Sequence, residues 1–245
     1  MARIRPVLSL LALAAAAAAL PAQACSAPHP ERPTNLALAA GADAIVLGQV
    51  VGGTGDASPE ASITVHPLAA IKGLLPGQDF LLHGMHLATG GLAPSDPNEL
   101  EAPHPDALSG ACLRTRFAPG ATVLFFLDRR DGEWAPAGGP FTRWAEDVPD
   151  EDAPWVQLTV FYVRVAPLPE DQRRALLESE RDALREHADE PAAVALAADL
   201  ERELAAPPLP DATVAESPND GFREPGEVSA VQRALDRMRA DRDDP

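Results

Sequence analysis

Two cysteines, Cys25 and Cys112, offer the most specific chemistry in this 245-residue chain. A free cysteine supplies a thiolate nucleophile or a metal ligand, whereas two cysteines in an oxidising compartment usually form a disulfide. Cys25 directly follows a leader with the features of an export signal, so we expect both cysteines in such a compartment. We therefore predict a disulfide between Cys25 and Cys112, worth about 4–5 kcal/mol in the chain-entropy treatment of a loop of this length.

The histidines are the next candidates, and their spacing gives no metal-binding motif. His83 and His86 are three residues apart, which places their rings on opposite faces of a strand. His29 and His104 are distant from them in the sequence. Neither an H-E-x-x-H motif nor a C-x-x-C pair is present, so we interpret these residues as scattered histidines.

The serines and acidic residues likewise give no catalytic or calcium-binding motif. Ser95 and Ser109 lack the G-x-S-x-G surroundings of a hydrolase nucleophile. The acidic stretch 146–152 lacks the spaced D-x-[DN]-x-[DN]-G pattern of a calcium loop, which favours a solvated loop. We therefore predict no catalytic, cofactor-binding or metal-binding residues, no cofactor and no enzymatic activity.

The element that brings Cys25 to the chain terminus is a secretory signal peptide, residues 1–24. Arg3 and Arg5 form its positive region, residues 7–20 its apolar region, and Ala-Gln-Ala at 22–24 its cleavage site. A lipid anchor on Cys25 is the alternative. A bacterial lipoprotein signal, however, has an aliphatic residue in place of Ala22 and a small one in place of Gln23. We predict a periplasmic or secreted protein, without a transmembrane segment because no later apolar run reaches about 20 residues.

The charge of the chain limits its partners. The formal net charge is −17, and removal of the two signal-peptide arginines makes it −19. So acidic a chain repels nucleic acid and anionic membrane surfaces. Aromatic residues are only 4% of the sequence, which also disfavours a nucleic-acid stacking platform. Lys72 is the only lysine, and the Ala- and Pro-rich composition suggests a GC-rich bacterial genome.

Apolar patterns in residues 25–166 predict mostly strands. A short helix at 34–40 precedes strands predicted at 44–51, 62–68, 79–83, 121–127, 133–134 and 155–165. The run 121–127 is almost uninterruptedly apolar, as in a strand buried on both faces. Residues 84–111 have no periodicity, which is typical of a functional or disordered loop.

Residues after 166 change to helical spacing. Residues 169–187 and 191–204 predict a helical hairpin, 207–225 a flexible linker, and 227–239 a short amphipathic helix. The predicted organisation is therefore a signal peptide, a β-barrel domain, a helical hairpin and a flexible acidic tail, with boundaries at 1–24, 25–166, 167–206 and 207–245.

An ordered set of motifs resembles the netrin-like and tissue-inhibitor-of-metalloproteinases superfamily, in particular its bacterial secreted members. The motifs are a cysteine after the signal, Ala42-Asp43-Ala-Ile-Val-Leu-Gly48-Gln-Val50, Ile71-Lys72-Gly73, a second cysteine, and Phe117-Ala-Pro-Gly120 before Val123-Leu-Phe-Phe126. The resemblance covers roughly residues 25–145. It implies a five-stranded OB-type barrel with the N-terminus linked to its side, a fold that commonly serves as a binding platform.

The resemblance also implies a mode of inhibition. In inhibitor members the amino group and carbonyl of the N-terminal cysteine chelate the target's catalytic zinc, and the next side chain enters the specificity pocket. Only Cys25 and Ser26 can correspond to these residues. The inhibitors begin Cys-x-Cys and carry further disulfides, whereas position 27 here is Ala and one disulfide is available.

The fold predicted from the sequence is mainly β, an OB-like barrel followed by helices and a flexible tail. The predicted function is noncatalytic binding of a protein or envelope partner near residues 84–111, with inhibition of an extracellular metalloprotease as a special case. Two alternatives remain open: a metal-dependent or hydrolytic envelope enzyme, and a scaffold that assembles through its C-terminal helix.

Overall fold

A computed structural model describes residues 32–58, 60–73 and 77–209. The predicted signal peptide, Cys25, Ser26, His29, most of the predicted linker and the amphipathic helix at 227–239 lie outside the described residues. The strands are β1 (Ala44–Gly53), β2 (Ser62–Lys72), β3 (Phe80–His83), β4 (His86–Leu87), β5 (Arg116–Phe117), β6 (Thr122–Arg130), β7 (Glu133–Pro136) and β8 (Ala145–Asp147). The helices are α1 (Asn35–Gly41), α2 (Pro154–Val165), α3 (Glu170–Arg185) and α4 (Pro191–Ala205), with a 3₁₀ turn at Pro105–Leu108.

The main sheet is antiparallel and curls into a half-barrel. Its strands follow the order β3-β2-β1-β6-β7, and β8 also pairs with β6. The curl brings the two ends of this order together, so that His83 Nε2 on β3 lies 4.0 Å from Glu133 Oε1 on β7. With helices α2 to α4 following the sheet, the fold is a mixed α and β structure and not the mainly β one predicted.

Both faces of the central strands are buried, as the apolar run at 121–127 predicts. Alternate residues of β1 and β6 point to opposite faces. One face forms the concave core, which contains Val46, Val50, Ile63, Val65, Leu82, Phe117, Val123, Phe125, Leu127 and Trp144. The other face packs against the helices through Ile45, Leu47, Leu124 and Phe126, which meet Leu36, Leu38, Trp155, Leu158, Tyr162 and Leu200.

A close approach between β1 and β2 explains the glycine in the first strand. A Cβ on Gly48 would lie 2.5 Å from Cγ1 of Val65 and 3.3 Å from the carbonyl oxygen of His66. The register between the strands shifts between Leu47 and Gly48, opposite Pro67, which lacks an N–H to donate. Glycine thus stands where β2 comes closest to β1, and proline stands where the register of the pair is irregular.

Residues of the family-like motifs meet at one corner of the sheet. Lys72 Nζ donates to the carbonyl oxygens of Ala39 (3.0 Å) and Ala40 (2.6 Å) at the C-terminal end of α1. Gly73 has φ +74° and its Cβ position lies 2.6 Å from the carbonyl oxygen of Asp43, so only glycine fits there. Asp43 Oδ2 in turn accepts from the backbone N–H of Arg129 (2.7 Å). These motif residues therefore have structural roles.

The strand predicted at 155–165 is wrong, because this segment is helix α2. Its buried residues are Trp155, Val156, Leu158, Thr159, Val160, Tyr162 and Val165. Trp155, Val156, Leu158, Tyr162 and Val165 recur at helical spacing and belong to the core cluster that packs against the sheet. Pro154 stands at the first helical turn, where its missing N–H costs nothing. Burial of these core residues outweighs the β propensity of the Val, Thr and aromatic residues in the segment.

The hairpin of α3 and α4 confirms the helices predicted at 169–187 and 191–204. Leu177, Leu196 and Leu200 belong to the same buried cluster as α1 and α2. The predicted domain boundaries themselves stay a prediction. Within the part of the chain that the structure describes, no helix combines the length and apolar character needed to cross a bilayer.

Candidate functional site

The long segment between β3 and β6, predicted to be functional or disordered, is attached to β8 by buried polar side chains. His104 and Asp106 of this segment are 3% and 2% exposed. The carbonyl oxygen of Ala93 lies 3.2 Å from His104 Nε2, and that of Ala102 accepts from Arg143 Nη1 at 2.6 Å. Polar contacts therefore hold this segment in place together with its apolar residues Met85, Leu100 and Phe117, which are buried in the two cores.

Asp147 is the centre of this network. Its Oδ1 accepts from Arg114 Nη2 (2.7 Å), and its Oδ2 accepts from the backbone N–H of Ser95 (3.0 Å). Burial alone would raise the pKa of Asp147, but the neighbouring His104 ring and Arg114 guanidinium outweigh it and lower that pKa to about 2. Asp147 is therefore ionised at neutral pH, and both of its carboxylate oxygens have hydrogen-bond partners within the protein.

Two side chains cover the outer edge of β8. Ser95 Oγ accepts from the backbone N–H of Asp147 (3.0 Å), and Arg114 Nη1 donates to the carbonyl oxygen of Ala145 (3.2 Å). The hydroxyl of Ser95 also donates to Glu146 Oε2 (2.5 Å), which lies 3.3 Å from Arg143 Nη2. Side chains thus fill the hydrogen-bonding positions that another strand would take. Since Glu146 is buried and the Asp147 side chain is only 14% exposed, the solvated loop predicted at 146–152 is wrong for its first two residues.

A second carboxylate fixes the end of the segment. Asp106 Oδ2 accepts from the backbone N–H groups of Thr115 (2.8 Å) and Arg116 (3.0 Å), and Oδ1 accepts from Arg116 Nε (2.5 Å). Burial raises the pKa of Asp106, but these hydrogen bonds outweigh it and the net direction is downward. The 3₁₀ turn is thereby held against β5.

Ser95 and His104 lie in the same network, yet they do not form a nucleophile and base. His104 Nδ1 accepts from the backbone N–H of Asp106 (3.1 Å), so its proton is on Nε2, which faces Ala93 and Asp147. The Ser95 hydroxyl donates to Glu146 instead of to the imidazole. A serine hydrolase requires the serine hydroxyl to donate to the histidine. This geometry holds the chain in place and does not activate Ser95.

An apolar groove lies over this network. Its volume is about 390 Å³, in the range of small-ligand and peptide sites. Leu92, Pro94 and Pro97 of the long segment form one wall. The other wall consists of Ala118, Ala121, Thr122, Val148 and Pro149. The groove therefore exists only because the polar network holds residues 92–97 against β8 and the start of β6.

A separate polar cluster joins α1, α2 and α4. Asp199 accepts from Tyr162 Oη (2.5 Å), Asn35 Nδ2 (2.8 Å) and Arg202 Nη2 (2.6 Å). Burial raises the pKa of Asp199, and the same effect together with the charge of Asp199 raises the pKa of Glu203 to about 7. This pair connects the C-terminal helices to the N-terminal one.

Among the residues that the structure describes, the candidate cysteine and histidines of the sequence analysis do not form one site. Cys25 and Ser26 lie outside the described residues, and Cys112 is buried in a loop with φ +62°. His83 and His86 lie on β3 and β4, apart from the buried His104. Among residues 32–58, 60–73 and 77–209, no three His, Cys, Asp or Glu side chains are arranged to hold a metal ion.

Sequence reasoning missed Arg114, Arg143 and Asp106 as part of this site. No motif marks them, because each contacts residues from another part of the chain. Two features of the sequence could have indicated this site: the acidic pair Glu146-Asp147 shortly before Pro149, and arginines within otherwise apolar stretches. Comparisons with protein-family models, with curated proteins and with solved structures find no match.

Proposed function

We propose that this chain is an exported, noncatalytic binding protein that contacts a protein partner through the groove between residues 92–97 and 147–149. The observation that carries this proposal is the groove itself, an apolar surface of about 390 Å³ built on a fixed polar base. The polar groups beneath the groove already have hydrogen-bond partners and are not available to a ligand. The partly exposed side chains of Leu92 and Pro97 would be removed from water by a bound partner, which favours binding.

Binding is favoured over hydrolysis by the contacts of Ser95 and His104. The Ser95 hydroxyl interacts with Glu146 and with the Asp147 backbone, and His104 is held by Asp106 and Ala93. Both side chains thus have structural partners. A nucleophile would need a base within hydrogen-bond reach in a different orientation.

The OB-like barrel and the export of the chain belong to the same proposal. Five antiparallel strands follow one hydrogen-bonded order, and a side-chain contact of 4.0 Å, between His83 Nε2 and Glu133 Oε1, joins the strands at its two ends; both observations support an OB-like barrel. The proposal includes the Cys25–Cys112 disulfide. The backbone N–H of Phe141 donates to the carbonyl oxygen of Cys112, and Phe141 lines the same cavity as Arg32. Position 25 is seven residues before Arg32, and a chain of that length can span about 25 Å.

A matched pair of substitutions tests the groove. The partner is first captured by cross-linking in the envelope fraction, identified by mass spectrometry and purified. Leu92→Asp places a charge in the groove, and we expect at least a tenfold weaker Kd, as for a central interface residue. Leu108→Asp is the control, because Leu108 lies on the same long segment, is 62% exposed and does not line the groove. Equal affinities of the two variants would refute the groove as the contact surface.

The metalloprotease inhibitor is a special case with its own test. If the amino group and carbonyl of Cys25 chelate zinc and Ser26 enters the specificity pocket, acetylation of the mature N-terminus should abolish inhibition of a secreted zinc protease. Since Lys72 is the only lysine, it is the one other amino group to be monitored. Inhibition that survives acetylation would eliminate this mechanism and leave the groove proposal intact.

A further inference from the structure

A small cavity lies beside the groove, where β8 meets the first turn of α2. Its volume is about 10 Å³, and its lining includes Arg143, Glu146 and Trp155. These side chains are deeply buried, with exposed fractions of 5% for Arg143, 2% for Glu146 and 2% for Trp155. The guanidinium carbon of Arg143 lies 5.2 Å from the centre of the Trp155 ring. The inner side of the cavity is therefore formed by buried polar side chains, and its outer side by loop residues that include Asp96, Pro97 and Pro149.

Each of these three side chains has one polar atom without a hydrogen-bond partner among the described residues. The atoms are Arg143 Nε, Trp155 Nε1 and Glu146 Oε1. The first two are obligatory donors, and the third is a carboxyl oxygen that can accept a hydrogen bond. A buried polar group without a partner costs about 1–3 kcal/mol, so three such groups around one cavity require an explanation.

We propose that this cavity is the binding site of one ordered water molecule. The water accepts from Arg143 Nε–H and Trp155 Nε1–H and donates to Glu146 Oε1. Internal waters typically make about three hydrogen bonds in a space of at least ~10–15 Å³, and this cavity offers three unpartnered polar atoms around about 10 Å³. A metal ion does not fit two N–H donors, an anion is repelled by the Glu146 carboxylate, and an organic group is too large.

The three tryptophans of the chain provide the test and its control. The full mature chain is labelled with ¹⁵N-tryptophan, and transfer from water to each indole N–H is measured by NMR. Trp155 is assigned through its neighbour Phe126, and Trp144 through Phe117 and Phe125. Trp144 Nε1 is also buried without a partner, but Trp144 does not line this cavity.

We expect a water cross-peak at the Trp155 indole and none at the Trp144 indole. Its sign must be that of dipolar contact with a long-lived water, opposite in the laboratory and rotating frames, because chemical exchange gives the same sign in both. Absence of this peak at Trp155 would overturn the proposal. A peak of equal strength at Trp144 would also overturn it, since water would then enter the core without preference for this site.

Discussion

Removal of the charge on Asp147 should destabilise the fold far more than removal of an exposed aspartate charge. Asp147→Asn keeps the shape of the side chain but removes the charge that faces Arg114 Nη2 at 2.7 Å. The guanidinium of Arg114, only 1% exposed, would then be buried without a counter-charge. One amide N–H of the new side chain would also face the N–H of Ser95 or the Arg114 guanidinium, where only an acceptor fits.

The size of the effect follows from the contacts of Asp147. Its pKa falls from 3.8 to about 2 on folding, which corresponds to about 2 kcal/mol of stabilisation at neutral pH. Because the folded-state pKa is the lower one, this contribution is complete above pH ~4 and is lost as the pH falls towards 2. With the mispaired donor added, Asp147→Asn should reduce the free energy of unfolding by about 3–5 kcal/mol at pH 7.

Urea unfolding at pH 7 measures this loss, and Asp79→Asn is its matched control. Asp79 also makes a 2.7 Å contact, to His66 Nδ1, but both side chains are about half exposed. An exposed ion pair contributes less than about 1 kcal/mol, so the control should unfold close to the unmodified protein. Similar losses for the two variants would refute the reasoning that burial makes the Asp147 network a main contributor.

Three further substitutions have defined outcomes. Gly48→Ala should lower the free energy of unfolding by about 1–3 kcal/mol, because its Cβ would clash with Val65. Gly41→Ala is the control, since a Cβ at this position meets nothing within 4 Å and should leave the free energy of unfolding unchanged. Equal urea midpoints for the two variants would contradict this prediction. Lys72→Met removes both donors to the end of α1 and should cost about 2 kcal/mol by the same assay, and an unchanged midpoint would show that these contacts contribute nothing. Folding raises the pKa of Glu203 to about 7, so the protonated side chain stabilises the fold most below pH ~4.5, and this stabilisation is lost as the pH rises to 7. Glu203→Gln should therefore flatten the fall in the free energy of unfolding between pH 5 and 8. Parallel pH profiles of the variant and the unmodified protein would refute this prediction.

The strands could be predicted because the order of apolar and polar residues within each segment reflects its burial. The apolar run at 121–127 and the segment predicted at 62–68 correspond to β6 and β2. Glycine at position 48 fits the close approach of β2 to β1. The helix predicted at 34–40 likewise corresponds to α1. Thr34 is its N-cap, because Thr34 Oγ1 accepts from the backbone N–H of Ala37 (3.2 Å). In each case the signal lies within a few residues of the element that it predicts.

The rest depends on contacts between distant parts of the chain. Residues 154–165 are rich in β-branched and aromatic side chains, and only the sheet face that they cover makes them a helix. The groove is equally invisible in the sequence, because Ser95 and Asp147 are 52 residues apart and belong to no motif. Secondary-structure propensity describes an isolated segment, whereas a buried ion pair forms only when the fold brings residues from distant segments together.

Hydrogen exchange at the Ser95 amide is the most direct test of the claim that a buried polar network holds the long segment against β8 and so forms the groove. In the unmodified protein this amide should exchange slowly, because it donates to Asp147 Oδ2 at 3.0 Å. In Asp147→Asn it should exchange much faster, while the amides of Ile45 and Val46 in β1 stay protected. Rapid exchange at Ser95 in the unmodified protein would contradict the account.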